Sequence, residues 1–279
     1  MHMPSQKVGA RSIFFRMLER IQRDDVFGLA AQLSYFFLLS LFPLLIFLVT
    51  LLTFLPISAN DLLNVIRDFA PGDSLALIEE NLRDILSKNN GGLLSFGVLA
   101  TLWSGSNGIS AIVKNLNRAY GVEENRPFWK VRGTSVILTI AMIFVVVIAL
   151  LLPVFGKQIG LFAAMQFGIS DEFLIIWNAV RWVVSALIIF LVFVGLYFLA
   201  PNFRLHIRDT LGGAFLATVG FVLVSFLFSY YVGNFGNYST TYGSIGGIIV
   251  LMIWFYLSGI ILLIGGEWNA LRRELKHRK

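Results

Sequence analysis

The side chains in this chain that could do chemistry are mostly uncharged and sit inside long apolar stretches. In Thr101-Leu-Trp-Ser-Gly-Ser-Asn-Gly-Ile-Ser110, Asn107 lies among Ser, Thr and Gly, within a segment that carries no charge from Asn89 to Val113. Gln32, Ser34 and Tyr35 occupy a second such segment, ahead of Pro43, whose ring frees a backbone carbonyl and favours a kink. Groups of this kind can line a polar path or expose backbone to a substrate at membrane depth. They serve equally well in helix packing through small residues and hydrogen bonds between helices. The same two readings hold for Tyr242 and for Gly243 and Gly247, which have GxxxG spacing at the start of another apolar run. Arg181, between Trp177 and Trp182, either snorkels to lipid headgroups or grips an anionic ligand. Arg118 and Glu267 each follow an apolar stretch, and a pair between them would be a structural salt bridge or a gate.

Catalytic sets are missing from the sequence. His2, His206 and His277 are far apart, no H-E-x-x-H occurs, and there is no Cys, so neither a metal site nor a cofactor is expected. Ser104 and Ser106 would need a His or Lys inside the bilayer as base, and none is there. An aspartyl intramembrane protease would need two Asp residues in helices, which are also absent, and no Walker A motif supplies an ATP engine. Proton relays use intramembrane carboxylates or His; the apolar segments have neither at mid-depth. Coupling to Na⁺ through backbone carbonyls stays open. The expectation is a protein that is not an enzyme and has no catalytic residue.

The elements that must position these groups follow from composition. Of 279 residues, 57% are hydrophobic and 14% charged, against about 25% charged in a soluble domain. That excludes a soluble enzyme and a disordered chain, and predicts an integral membrane protein. Spans need about 20 apolar residues; the sequence predicts six, at about residues 30–55, 92–113, 134–155, 181–200, 211–232 and 245–266. Most of the 22 Lys and Arg residues fall at the N-terminus, between spans two and three, between spans four and five, and at the C-terminus. By the positive-inside rule both termini are cytoplasmic. The expected fold is therefore all-α and polytopic. It comprises a cytoplasmic N-terminal segment 1–26, a six-helix membrane domain 27–266 and a basic cytoplasmic tail 267–279. Ser12–Arg23 reads as an interfacial amphipathic helix, with Ile13, Phe14, Met17 and Ile21 on one face and Arg16, Arg20 and Arg23 towards the other. Asn60–Leu86 reads as an outer helical cap between the first two spans. Lys157–Asn178 is either interfacial or re-entrant.

Four blocks in order resemble a known family. Ala30-Ala-Gln-Leu-Ser-Tyr-Phe-Phe-Leu-Leu-Ser-Leu-Phe-Pro43 looks like the first-helix signature of the YihY/BrkB membrane proteins. Asn117-Arg-Ala-Tyr-Gly121 with Arg126-Pro-Phe-Trp129 resembles that family's cytoplasmic loop. Tyr242-Gly-Ser-Ile-Gly-Gly247, continuing through Trp254 to Gly266-Glu-Trp-Asn-Ala270, is similar to its closing segment. The resemblance implies a six-helix protein of the bacterial inner membrane with both termini inside. The family once carried the label ribonuclease BN, which this sequence, lacking a His/Asp metal constellation, argues against.

The leading functional expectation is a transporter or exporter, without its own ATPase, for a small solute or an amphiphilic lipid. Gln32, Tyr35, Asn107, Tyr242 and Arg181 are the cavity candidates, and Arg118 and Glu267 the gate candidates. Pro43, Gly243 and Gly247 are the packing or kink positions. A lipid flippase and a non-transporting envelope assembly factor are the alternatives. The expected partners are membrane lipids and an unknown solute or lipid substrate, with no nucleic acid; oligomeric state stays open.

Overall fold

The computed structural model describes residues 10–52, 91–143, 171–235 and 245–277. They form α1 (Ala10–Arg23), α2 (Val26–Leu52), α3 (Gly91–Ala119), α4 (residues 128–143), α5 (Asp171–Leu199), α6 (Ile207–Phe235) and α7 (Ile245–His277), with no strand among the described residues. Five stretches are long and apolar enough to cross a membrane: Val26–Leu44, Ser95–Ala119, Trp182–Leu199, Ile207–Val232 and Gly246–Lys276. The protein is thus a polytopic membrane protein of helices. The span expected at 134–155 is described only to residue 143, where it is helical. The cap at Asn60–Leu86, Tyr242 and Gly243 lie outside the described residues.

The helices run beyond the apolar spans read from the sequence. α5 begins at Asp171, where Ser170-Asp171-Glu172 is a helix-start signal, and its apolar part, Trp182–Leu199, matches the span expected at about 181–200. The described part of the segment read as interfacial or re-entrant, residues 171–178, is therefore the first two turns of α5. α3 runs on past 113 to Ala119, and α7 runs unbroken through Glu267 to His277. Residues 267–277 of the basic C-terminal segment continue that helix. α2 is likewise continuous through Pro43.

The chain divides into two compact units, Phe36–Gly105 and the remainder. In the smaller, a Cβ at Gly97 of α3 would come 2.9 Å from the backbone nitrogen of Phe47 on α2, so glycine sets that approach. Ser104 turns its hydroxyl back to the carbonyl of Ala100 at 2.7 Å, which satisfies it within its own helix.

In the larger unit, α6 and α7 make the closest pairing. A Cβ at Gly213 would run into the carbonyl oxygen of Gly265 and the side chain of Asn269, and one at Gly265 into the hydroxyl of Tyr197. Lipid supplies no hydrophobic drive between helices, so backbone proximity and hydrogen bonds must hold them. Asn269 accepts from the Gly213 amide at 2.6 Å and donates to the Thr210 carbonyl at 3.1 Å. Fully buried Tyr197 on α5 donates to the Leu262 carbonyl at 2.6 Å, tying a third helix in. The opposite surface of α6 bears exposed Phe215, Val222 and Phe226, as a lipid-facing helix would.

Among the described residues small-residue approaches occur at Gly213, Gly265 and Gly266; Gly243, expected to pair with Gly247, lies outside them. Nothing among the described residues lies within 4 Å of a Cβ placed on Gly247. Gly213→Ala should accordingly lower detergent-solubilised stability by about 1–3 kcal/mol, the usual cost of overpacking. Gly247→Ala should stay within about 0.5 kcal/mol of wild type. Thermal melts of both variants check this, and equal losses would remove the distinction.

Candidate functional site

At the end of the larger unit where α1, α3, α5, α6 and α7 start or stop, charged side chains gather. Met17, Arg20, Ile21 and Asp24 share one face at spacings of three, four and seven, and all four are buried. This corrects the expectation for α1: Arg20 lies on the packed face with Met17 and Ile21, whereas Phe14 and Phe15 are exposed. Arg20 donates from Nε to Glu267 at 3.0 Å and from one terminal nitrogen to Glu274 at 3.0 Å, both on α7. Its other terminal nitrogen donates to the carbonyl of Ala119, the last residue of α3. A C-terminal carbonyl has no partner within its helix, so the guanidinium satisfies it.

Asp24 begins the two-residue turn between α1 and α2. Its partner in the turn, Asp25, takes φ 52°, a left-handed conformation that Asp tolerates, and accepts from the Gly28 amide at 3.3 Å as an N-cap does. Asp24 itself meets Arg23 at 2.8 Å and Arg118 at 3.3 Å. Burial pushes its carboxyl up, but the bonds from Arg23 and the charges of Arg23, Arg118 and Arg20 outweigh that and hold it below the ordinary carboxylate range.

α3 ends in a glycine-terminated turn. Gly121, at φ 65°, donates to the Arg118 carbonyl at 2.9 Å, and Val122 to that of Asn117 at 2.9 Å. Beyond it Asn117 donates to Glu124 at 2.7 Å and accepts from the Asn202 amide at 2.7 Å. Arg126 grips Glu124 through two nitrogens at 2.8 and 2.7 Å and also reaches the Ala200 carbonyl at 3.3 Å. Those hydrogen bonds hold Glu124 below the usual carboxylate range against a smaller push from burial. The block Asn117–Arg126 thus knots the α3–α4 turn to the α5–α6 turn.

Between these parts lies a cavity of about 740 Å³, which Arg20, Arg23, Asp24, Arg118, Arg273 and Glu274 line, along with Tyr120 and Phe203. Arg273 sits 4.3 Å over the Phe203 ring, against which Tyr120 packs edge-on at 5.0 Å. Four guanidiniums therefore face two carboxylates, and such a space can receive an anionic or strongly polar group.

The expected site residues separate into groups. Arg118 and Glu267 both enter the network, but not as a pair: Glu267 binds Arg20, and Arg118 binds Asp24 and the Arg23 carbonyl at 2.7 Å. The reason is placement, since Arg20 arrives from α1 on the face turned towards α7. Asn107 accepts from Arg132 of α4 at 2.7 Å, so a loop arginine that topology alone explained reaches it. Gln32 and Tyr35 are exposed on α2. The side chain of Arg181, with Tyr242 and Gly243, falls outside the described ones. Arg20, Asp24, Tyr120, Arg273 and Glu274 were not among the expected site residues; the signal available was Arg20 and Asp24 recurring in step with Met17 and Ile21. Among the described residues no three His, Asp or Glu side chains gather as metal ligands would.

Comparison with known proteins gives a family. The family described as Virulence factor BrkB matches residues 17–279. The ribonuclease-like protein YfkH of Bacillus subtilis (strain 168) is 57% identical over 247 residues, covering 88% of this chain and 90% of that protein. A UPF0761 membrane protein of Vibrio campbellii is 30% identical over 280 residues, 96% of this chain and 84% of its own. One from Vibrio parahaemolyticus is also 30% identical, over 95% and 83%. No solved structure matches the chain.

Replacing Arg20 by Met strands the buried Glu267 and should cost about 3–5 kcal/mol in a detergent melt. The double change Arg20→Met with Glu267→Leu should cost less than the single one, and a larger loss in the double would contradict the pairing. Asp24 adds stability that is full above the unfolded carboxylate value of about 3.9 and is lost as pH falls through its lower folded value. Asp24→Asn should therefore melt below wild type at pH 7, with the gap closing under strong acid. A gap unchanged down to the acid limit would show that charge is not what Asp24 contributes.

Proposed function

This chain belongs to the Virulence factor BrkB family of membrane proteins, and we propose that it is a transporter or exporter without its own ATPase. Its cargo is a small solute or an amphiphilic lipid. It sits in the bacterial inner membrane with the basic helix ends and both termini in the cytoplasm. The observation that carries this reading is the polar cavity of about 740 Å³ at one end of helices whose outer faces are apolar. Ligand sites commonly enclose about 300–1,000 Å³, and a purely structural ion-pair cluster would have no need of such a space. The Arg20 network and the Arg118–Asp24 bridge are the polar contacts that would have to rearrange for cargo to pass.

Lipid flipping is the second reading within transport. An apolar groove of about 270 Å³, lined by Leu138, Met142, Leu191, Val192 and Leu199, runs between α4 and α5 and would accept a length of acyl chain. Catalysis, including the nuclease activity that the Bacillus relative's name suggests, is not part of the proposal. The three His residues lie at positions 2, 206 and 277, and His206 stands 3.9 Å from Asp209.

The test compares three strains by mass spectrometry of cells and medium, together with a leaflet-distribution assay for lipids. One strain lacks the gene, one is complemented, and one carries Arg118→Gln at matched expression. A solute or lipid that accumulates inside the null and the variant, and is released by the complemented strain, is the expected result. Identical solute pools and identical leaflets in all three would overturn transport.

A further inference from the structure

The polar cavity has more positive charge than its own ion pairs use. Arg20 is spent on Glu267, Glu274 and the Ala119 carbonyl. Asp24 is one carboxylate shared by two guanidiniums, Arg23 and Arg118, whose side chains are half-exposed. An arginine carries five N–H donors, so each of those two keeps donors to spare. Arg273 meets no carboxylate among the described residues; its neighbour is the face of Phe203. Tyr120 and Phe203, packed edge to face, form an aromatic wall beside these guanidiniums.

Spare N–H forks suit a compact anion with several acceptor oxygens. Guanidinium matches phosphate in shape and can bind it through two parallel hydrogen bonds. A cation would be repelled by four guanidiniums, and a neutral apolar group would leave their spare donors unused. We propose that this cavity is a binding site for a phosphate-bearing group, held by Arg23, Arg118 and Arg273. The inference rests on the transport reading only for what it implies about cargo; the site itself is defined by the residues.

Phosphate of this kind comes either from a soluble phosphomonoester or from a lipid headgroup. Full-length protein purified in neutral detergent is titrated calorimetrically with inorganic phosphate and with glycerol 3-phosphate. In parallel, its melting temperature is compared in nanodiscs of phosphatidylcholine with and without phosphatidylglycerol. Arg273→Gln and Arg118→Gln probe the site. Arg272→Gln, which removes the same charge one residue away and does not line this cavity, is the control.

Saturable binding of the soluble anions points to a free phosphoester, and stabilisation by phosphatidylglycerol alone points to a headgroup. In either case Arg273→Gln and Arg118→Gln should each weaken the effect roughly tenfold or more, and Arg272→Gln by less than twofold. Absence of binding in every arm overturns the site, as does an equal loss in Arg272→Gln and Arg273→Gln, which would mean a diffuse field. Flux is not the readout, so a protein that binds phosphate yet moves nothing would sink transport and leave this site standing.

Discussion

A single guanidinium holds the basic end of this protein together. Arg20 is withdrawn from water with Glu267, which is 1% exposed, and it touches three helices at once: α1, α3 and α7. Desolvating both charges costs several kcal/mol per ion, and their attraction does little more than offset it. What such a bridge contributes is geometry. Rotating α1 by one residue would swing Arg20 about 100° away and leave a buried carboxylate alone. The register of α1 against α7 is fixed by that penalty, and the turn Asp24-Asp25, Arg118 and the cavity wall inherit their positions from it.

The membrane half of the larger unit solves a different problem. Its side chains have lipid to pack against at no cost, so apolar surface cannot choose one helix pairing over another. Gly213 and Gly265 bring the backbones of α6 and α7 together, and Asn269 bridges them with an acceptor and a donor. Tyr197 adds a bond from α5 to the Leu262 carbonyl. Polar groups are spent inside, between helices, and phenylalanines are left outside.

Much of this is legible in the amino-acid order, and the division has a physical basis. Charge-free runs identify helices that cross lipid, because no water is there to satisfy anything else. α3, α5 and α7 extend as helices beyond the apolar windows at 92–113, 181–200 and 245–266, into sequence of ordinary composition that hydropathy does not mark. GxxxG spacing draws attention to Gly247, whereas the close approach of α6 to α7 is Gly213 against Gly265, a pair across two helices that spacing rules do not single out. Arg118 and Glu267 are recognisable as charges in a shared place, while their true partners depend on α1, whose docking face is set by tertiary packing. An arginine stripe on an amphipathic helix reads as a solvent face until a carboxylate is found opposite it.

α7 is one rod of 33 residues, roughly 50 Å long at 1.5 Å per residue. The hydrocarbon it crosses is about 30 Å thick. The rod is therefore roughly 20 Å longer than the hydrocarbon requires, and Glu267, Ala270, Arg273 and Glu274 lie in its last three turns. A rod of that length is a lever: tilting it by about 5° would move one end by about 4 Å relative to the other, and with it Arg273 relative to the guanidiniums across the cavity.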